Sequence, residues 1–178
     1  LFRSGRGAAE LPARRNSPSF ADRPGRESPV ILFIHSLLRW VVLAMGVLAF
    51  ARGVAGARGH HEWTTADNRA GLWFTSAVDL QVLLGLVLYA MSPLTRMGLQ
   101  DLGAAMQNAV TRYWTVEHIF GMVVAAALVH VGRIRIRKAA DSSRRHRLAA
   151  TFFGLALIAM ILSIPWPGEP AGRPLLPF

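Results

Sequence analysis

Six ionisable side chains stand inside or at the ends of long apolar runs: His35, Arg39, Asp79, Glu117, His118 and His130. A charge in hydrocarbon is costly enough that such residues are read first as functional. Three kinds of chemistry are open to them. Two imidazoles at one level on different helices are what axial ligation of haem iron needs. A cation and an anion at one depth neutralise each other and clamp two helices together. Carboxylates in series with an arginine make a polar path for protons.

Spacing sorts these residues by depth. At a rise of ~1.5 Å per residue, His35 and His118 both come to lie ~8 Å below the outer boundary of their runs. They therefore share a level, as candidate haem ligands would. The same two rings could instead hydrogen-bond Ser36, Thr115 or Glu117 across helices. Arg39 follows His35 by one helical turn and shares its face. Arg39 and Asp79 both reach ~14 Å, counted from opposite sides, which is near mid-membrane. An Arg39–Asp79 pair is thus expected, with Gln81 nearby in sequence and Glu117 as a competing partner nearer the outer surface. It reads as a structural clamp rather than a proton relay. His130 is rotated by ~120° from His118, so these two cannot stack down one face. It lies near the inner end, within reach of head groups or His146. The small residues Gly85, Gly121, Ala125 and Gly154 read as close helix packing rather than a ligand site.

The elements that must position these groups are four apolar spans, at about 30–51, 70–91, 113–132 and 148–164. Each approaches the ~20 residues needed to cross a ~30 Å hydrocarbon core. The fold class expected is all-α, a four-helix transmembrane bundle occupying 29–166. Tyr89, Tyr113, Trp114 and Trp166 fall near span ends, as an aromatic belt does. Between spans two and three, Leu99, Leu102, Met106 and Ala109 repeat at helical spacing, which predicts a short amphipathic helix on the outer surface. Residues 1–28 form a tail rich in Arg, Pro, Gly and Ser, expected to be disordered or ordered only by a partner. It has no apolar core and does not read as a signal peptide. Residues 167–178 form a C-terminal tail.

Composition narrows the function classes. Half of the residues (52%) are apolar and only 17% are charged, against about a quarter in soluble domains. The absence of cysteine excludes disulfides, thiolate metal sites, Fe–S clusters and thioether-linked haem. Lys and Arg outnumber Asp and Glu by 20 to 10. Without a recognition motif, that excess reads as loop topology and lipid contact rather than nucleic-acid binding. The basic links are those between spans one and two and between spans three and four. They belong on the cytoplasmic side of a bacterial inner membrane, which leaves both termini periplasmic; the arginines of the N-terminal tail oppose this orientation. No nucleophile–base pair, phosphate loop or metal cluster suggests an enzyme.

Several strings together resemble a family of small four-helix bacterial membrane proteins that carry the label "cytochrome b". They are His35-Ser36-Leu37-Leu38-Arg39-Trp40, Asp67-Asn68, Leu80-Gln81-Val82-Leu83-Leu84-Gly85-Leu86, Met106-Gln107-Asn108, Arg112-Tyr113-Trp114-Thr115-Val116-Glu117-His118, Gly132-Arg133 and Ser163-Ile164-Pro165-Trp166. The resemblance spans residues 30–166. It implies b-type haem and electron transfer, with histidines matching His35 and His118. The family pattern has a third membrane histidine where this chain has Asp79.

The resulting expectation is a non-catalytic membrane subunit of a larger electron-transfer complex, respiratory or of the photosynthetic reaction-centre type. Its partners would be the bilayer and neighbouring membrane subunits. No resident cofactor is the favoured reading, with lipid, quinone or pigment against the bundle surface also open. The alternative is a b-type cytochrome exchanging electrons with quinone, its haem b held between His35 and His118. A proton or solute transporter ranks below both, because the chain has no internal repeat and too few spans for an inverted-repeat carrier.

Overall fold

The computed structural model describes residues 28–175. Seven helices follow one another: α1 (Pro29–Gly59), α2 (Thr65–Met91), α3 (Pro93–Gln100), α4 (Leu102–Gln107), α5 (Ala109–Arg112), α6 (His118–Lys138) and α7 (Ser142–Leu162). A π-helical turn, Tyr113–Glu117, joins α5 to α6 without a break, so Ala109–Lys138 is one long helical span. There are no strands among the described residues. The expectation of a disordered N-terminal tail falls almost wholly on residues 1–27, outside the described residues.

Four of these helical segments are long and apolar enough to cross a membrane: Pro29–Gly59, Thr65–Met91, Ala109–Lys138 and Ser142–Leu162. They form a bundle in which α7 packs along both α1 and α6, and α1 along α2. The α2–α6 seam is the least extensive of the four. Phe74 and Phe153 meet edge to face at the centre, with ring centroids 5.4 Å apart. Small residues let the backbones close around them: Ala125, Ala149 and Ala156 are all buried. Outward, the helices present large apolar side chains such as Phe33, Leu83, Phe120 and Ile158. In water that surface would far exceed the few hundred Å² of apolar patch that soluble monomers tolerate; in lipid it is the matching solvent.

Local chemistry sets the helix ends. Pro29 begins α1, where its missing N–H is no loss. The helix runs past the end of the apolar stretch at Ala51 to Gly59. Arg52 therefore stays helical and its Nε donates to Asp67 Oδ1 at 2.8 Å. Asp67 also completes a capping box at the start of α2: Thr64 Oγ1 accepts from the Asp67 N–H, and Asp67 Oδ2 accepts from the Thr64 N–H at 2.8 Å. Asp141 caps α7 through the Arg144 N–H. We expect Asp67→Ala to cost about 1–3 kcal/mol, because it removes half of the capping box and takes the acceptor from three donors, Arg52 Nε, Thr64 N–H and Thr64 Oγ1. Arg52→Ala should cost less, since Asp67 keeps Thr64. Unfolding by SDS titration from mild detergent, followed by circular dichroism, measures both; an equal or reversed order refutes the assignment.

The link between α2 and α6 departs from the single amphipathic helix expected. It is three short helices, α3, α4 and α5, rather than one. Asp101 and Asn108 interrupt the apolar spacing, and each side chain takes the N-cap of the next helix, accepting from Ala104 N–H and Thr111 N–H. Their preference for capping over helix interior breaks the segment where periodicity alone would continue it. Met97, Leu99, Leu102 and Met106 remain exposed along it.

Candidate functional site

The bundle opens, at the end where α1 begins and α7 finishes, into a cleft bounded by α1, α2, α6 and the end of α7. The cleft is partly open and has a volume of about 150 Å³. His35 and Arg39 enter from α1, Gln81 from α2, and His118 from α6. The lining is otherwise mainly apolar.

Local structure fixes the two histidines differently. The π-helical turn precedes His118 directly, and its loosened Thr115 carbonyl accepts from Tyr89 Oη of α2 at 2.8 Å. His118 Nδ1 lies 2.8 Å from the Ser163 carbonyl at the end of α7. A carbonyl only accepts, so Nδ1 carries the proton and Nε2 of the neutral ring keeps its lone pair. Tyr113 Oη donates to the same carbonyl at 2.7 Å. Gly121, one turn after His118, allows this approach: a Cβ there would collide with the Ser163 hydroxyl.

His35 packs against Gly85, where a Cβ would stand 3.2 Å from its Cε1. Gln81 Nε2 donates to the His35 carbonyl at 3.1 Å and lies 3.3 Å from His35 Nε2. His35 Nδ1, Gln81 Oε1 and Arg39 Nε are buried with no hydrogen-bond partner among the described residues. Three unpaired polar atoms around one cleft exceed what a finished apolar core contains.

The expected Arg39–Asp79 pair does not form. Arg39 Nη2 donates to the Leu175 carbonyl at 2.6 Å, and Trp40 Nε1 donates to the same oxygen at 3.0 Å. The C-terminal segment folds back to make these contacts; the Arg173 N–H donates to the Pro165 carbonyl and its guanidinium lies 4.4 Å from the Trp114 ring. Asp79 instead meets His130, with Oδ1 2.7 Å from Nε2, on the outside of the α2–α6 seam. Rise per residue puts Arg39 and Asp79 at one depth but carries no information on rotation. Val78, Gln81, Val82 and Gly85 form the cleft-facing row of α2, and Asp79 falls about 100° off it. Glu117 pairs with Arg112 Nε at 2.6 Å on the surface and does not compete for Arg39. His130 thus meets Asp79 rather than His146.

His146 is wholly buried, tilted against Trp63 at 4.8 Å and over Gly56, with neither ring nitrogen hydrogen-bonded among the described residues. The sequence offered no signal for this, because a histidine in an arginine-rich link looks solvated. The Arg52–Asp67 pair was equally hidden, since it depends on α1 outlasting its apolar run.

The residues fit a b-type haem in part. Both histidines face one cleft, and the Nδ1–H to carbonyl bond of His118 is the usual support for a ligating imidazole. The cleft volume of about 150 Å³ falls below the ~300–1,000 Å³ of small-molecule pockets, so a group of porphyrin size would have to extend through its open side. Gln81 would also have to release His35 Nε2. No group of three or more metal-ligating side chains occurs among the described residues. No family model, curated protein or solved structure matches the chain.

Proposed function

We propose that the chain is a membrane electron-transfer protein that holds a b-type haem between His35 and His118. One observation carries this reading: two histidines from different spans line one cleft, and the Ser163 carbonyl holds His118 in the tautomer with Nε2 free to ligate. The resemblance to small "cytochrome b" membrane proteins supports it. A bound haem would supply one-electron transfer at a potential tuned by its surroundings. The chain's own contribution is positional. Ser163 and Tyr113 orient His118, Gly85 seats His35, and the mainly apolar lining would limit water around a bound haem. Arg39 lines the same cleft and supplies positive charge suited to anionic substituents of the ligand.

We place the protein in a bacterial inner membrane with its arginine-rich inner links in the cytoplasm. A second reading is a non-catalytic subunit of a larger electron-transfer assembly. The Gln81–His35 contact favours it, because it engages the Nε2 that a ligand would need. Absorbance spectra of the full chain, purified in mild detergent from haem-supplied cells, separate the two. A Soret band with a pyridine haemochrome of b type is expected. A colourless protein that cannot be loaded with haem ends the first reading and leaves the second.

A further inference from the structure

Asp79 and His130 form a hydrogen-bonded pair on the exposed, otherwise apolar surface of the bundle. Asp79 sits ~21 Å along α2 from its first residue and ~18 Å from its last, at the middle of the span. The two side chains are 55% and 49% exposed, and neither makes another hydrogen bond among the described residues. The neighbouring surface is apolar, with Leu80, Leu83, Val131 and Ile134 all exposed. A polar group facing hydrocarbon costs several kcal/mol unless something satisfies it.

The pair's hydrogen-bonding capacity identifies what does. Nε2 of His130 is spent on Asp79 Oδ1. In both net-neutral forms, imidazolium with carboxylate or imidazole with carboxylic acid, His130 Nδ1 bears a proton and Asp79 Oδ2 can accept. One donor and one acceptor therefore stand side by side. Such an arrangement complements itself: about a two-fold axis, the donor of each copy meets the acceptor of the other. We propose that the α2–α6 face is a homodimer interface within the membrane, with Asp79 and His130 of two copies joined in a four-residue hydrogen-bonded cluster. Interhelical bonds of this kind, set in apolar surroundings, fix register as well as association. The inference does not depend on whether haem is bound.

The chain has no cysteine, so an introduced one is its only thiol. Ala127 is exposed one turn before His130 on α6, whereas Leu155 is exposed on α7. The full chain bearing Ala127→Cys, oxidised in proteoliposomes at low protein-to-lipid ratio, should give a disulfide-linked homodimer; Leu155→Cys should not. Adding Asp79→Leu or His130→Leu to Ala127→Cys should lower the crosslinked fraction about tenfold, the scale of losing two interhelical bonds. Equal crosslinking from Leu155→Cys, absence of the homodimer, or crosslinking untouched by either leucine variant overturns the proposal. So does capture of a different polypeptide by Ala127→Cys in native membranes. If the leucine variants do not fold, the comparison of Ala127→Cys with Leu155→Cys decides alone.

Discussion

His118→Ala should abolish the Soret band of the haem-loaded protein and weaken haem binding by ~100-fold or more, beyond the 10–100-fold typical of losing a supporting contact. Free imidazole should restore part of the band, since the alanine leaves room where the ring stood. Gln81→Ala should act with the opposite sign. It frees His35 Nε2 from the carboxamide that lies 3.3 Å away, so haem should bind more tightly. These two variants discriminate the readings of the cleft. If His35 and His118 are only structural, both substitutions reduce stability and neither moves a spectrum. Titration of the apo-protein with haemin, read at the Soret maximum, provides the test. Tighter binding by His118→Ala, or weaker binding by Gln81→Ala, contradicts ligation by this pair.

The largest effect on folding is expected at Gly53. Here α1 crosses α7 so closely that a Cβ would stand 2.7 Å from the Ala150 nitrogen and 3.1 Å from the Ala149 carbonyl carbon. Those atoms are backbone, so no rotamer change relieves the clash and the two helices must separate. Gly53→Ala should destabilise by about 1–3 kcal/mol and Gly53→Val by more, as overpacking does. Gly71 is the matched contrast. Its added Cβ would meet only the tips of Arg133 and Phe153 at 3.4 Å, an ordinary contact. Gly71→Ala should be neutral or stabilising by up to ~1 kcal/mol, because alanine favours helix over glycine. SDS-titration midpoints rank the three variants. A Gly53→Ala midpoint equal to wild type would show that the α1–α7 crossing yields more easily than backbone contact implies.

His130 illustrates why charged residues in a span invite misassignment. Its level along α6 follows from counting, and its partner does not. Counting alone pairs Arg39 with Asp79, because both lie near mid-depth and carry opposite charge. The actual partners came from elsewhere: a carbonyl of the returning C-terminal segment for Arg39, and a histidine on the third span for Asp79. Neither could be found by pairing formal charges, since one partner is a backbone carbonyl and the other an imidazole. His146 was hidden for a related reason, that burial against Gly56 and Trp63 arises only when α1, α7 and their link close together.

What the amino-acid order determined by itself is one-dimensional. Runs of apolar residues set the number of spans, because backbone in hydrocarbon must be helical and the bilayer has a fixed thickness. Those runs do not mark the helix starts at Thr64 and Asp141; the structure shows them set by side-chain bonds to N–H groups only a few residues away. Rise per residue puts His35 and His118 at comparable depth. Tertiary packing alone decided rotation: which face of each span meets the cleft and which meets lipid. The apolar pattern is nearly uniform around a membrane helix, so hydropathy has no preferred side to report. Glycines and the π-helical turn then fix the angle, through close approaches made between distant segments. That is why His35 and His118, read from spacing as one level, share a cleft, while Asp79, read as Arg39's neighbour, looks outward with His130.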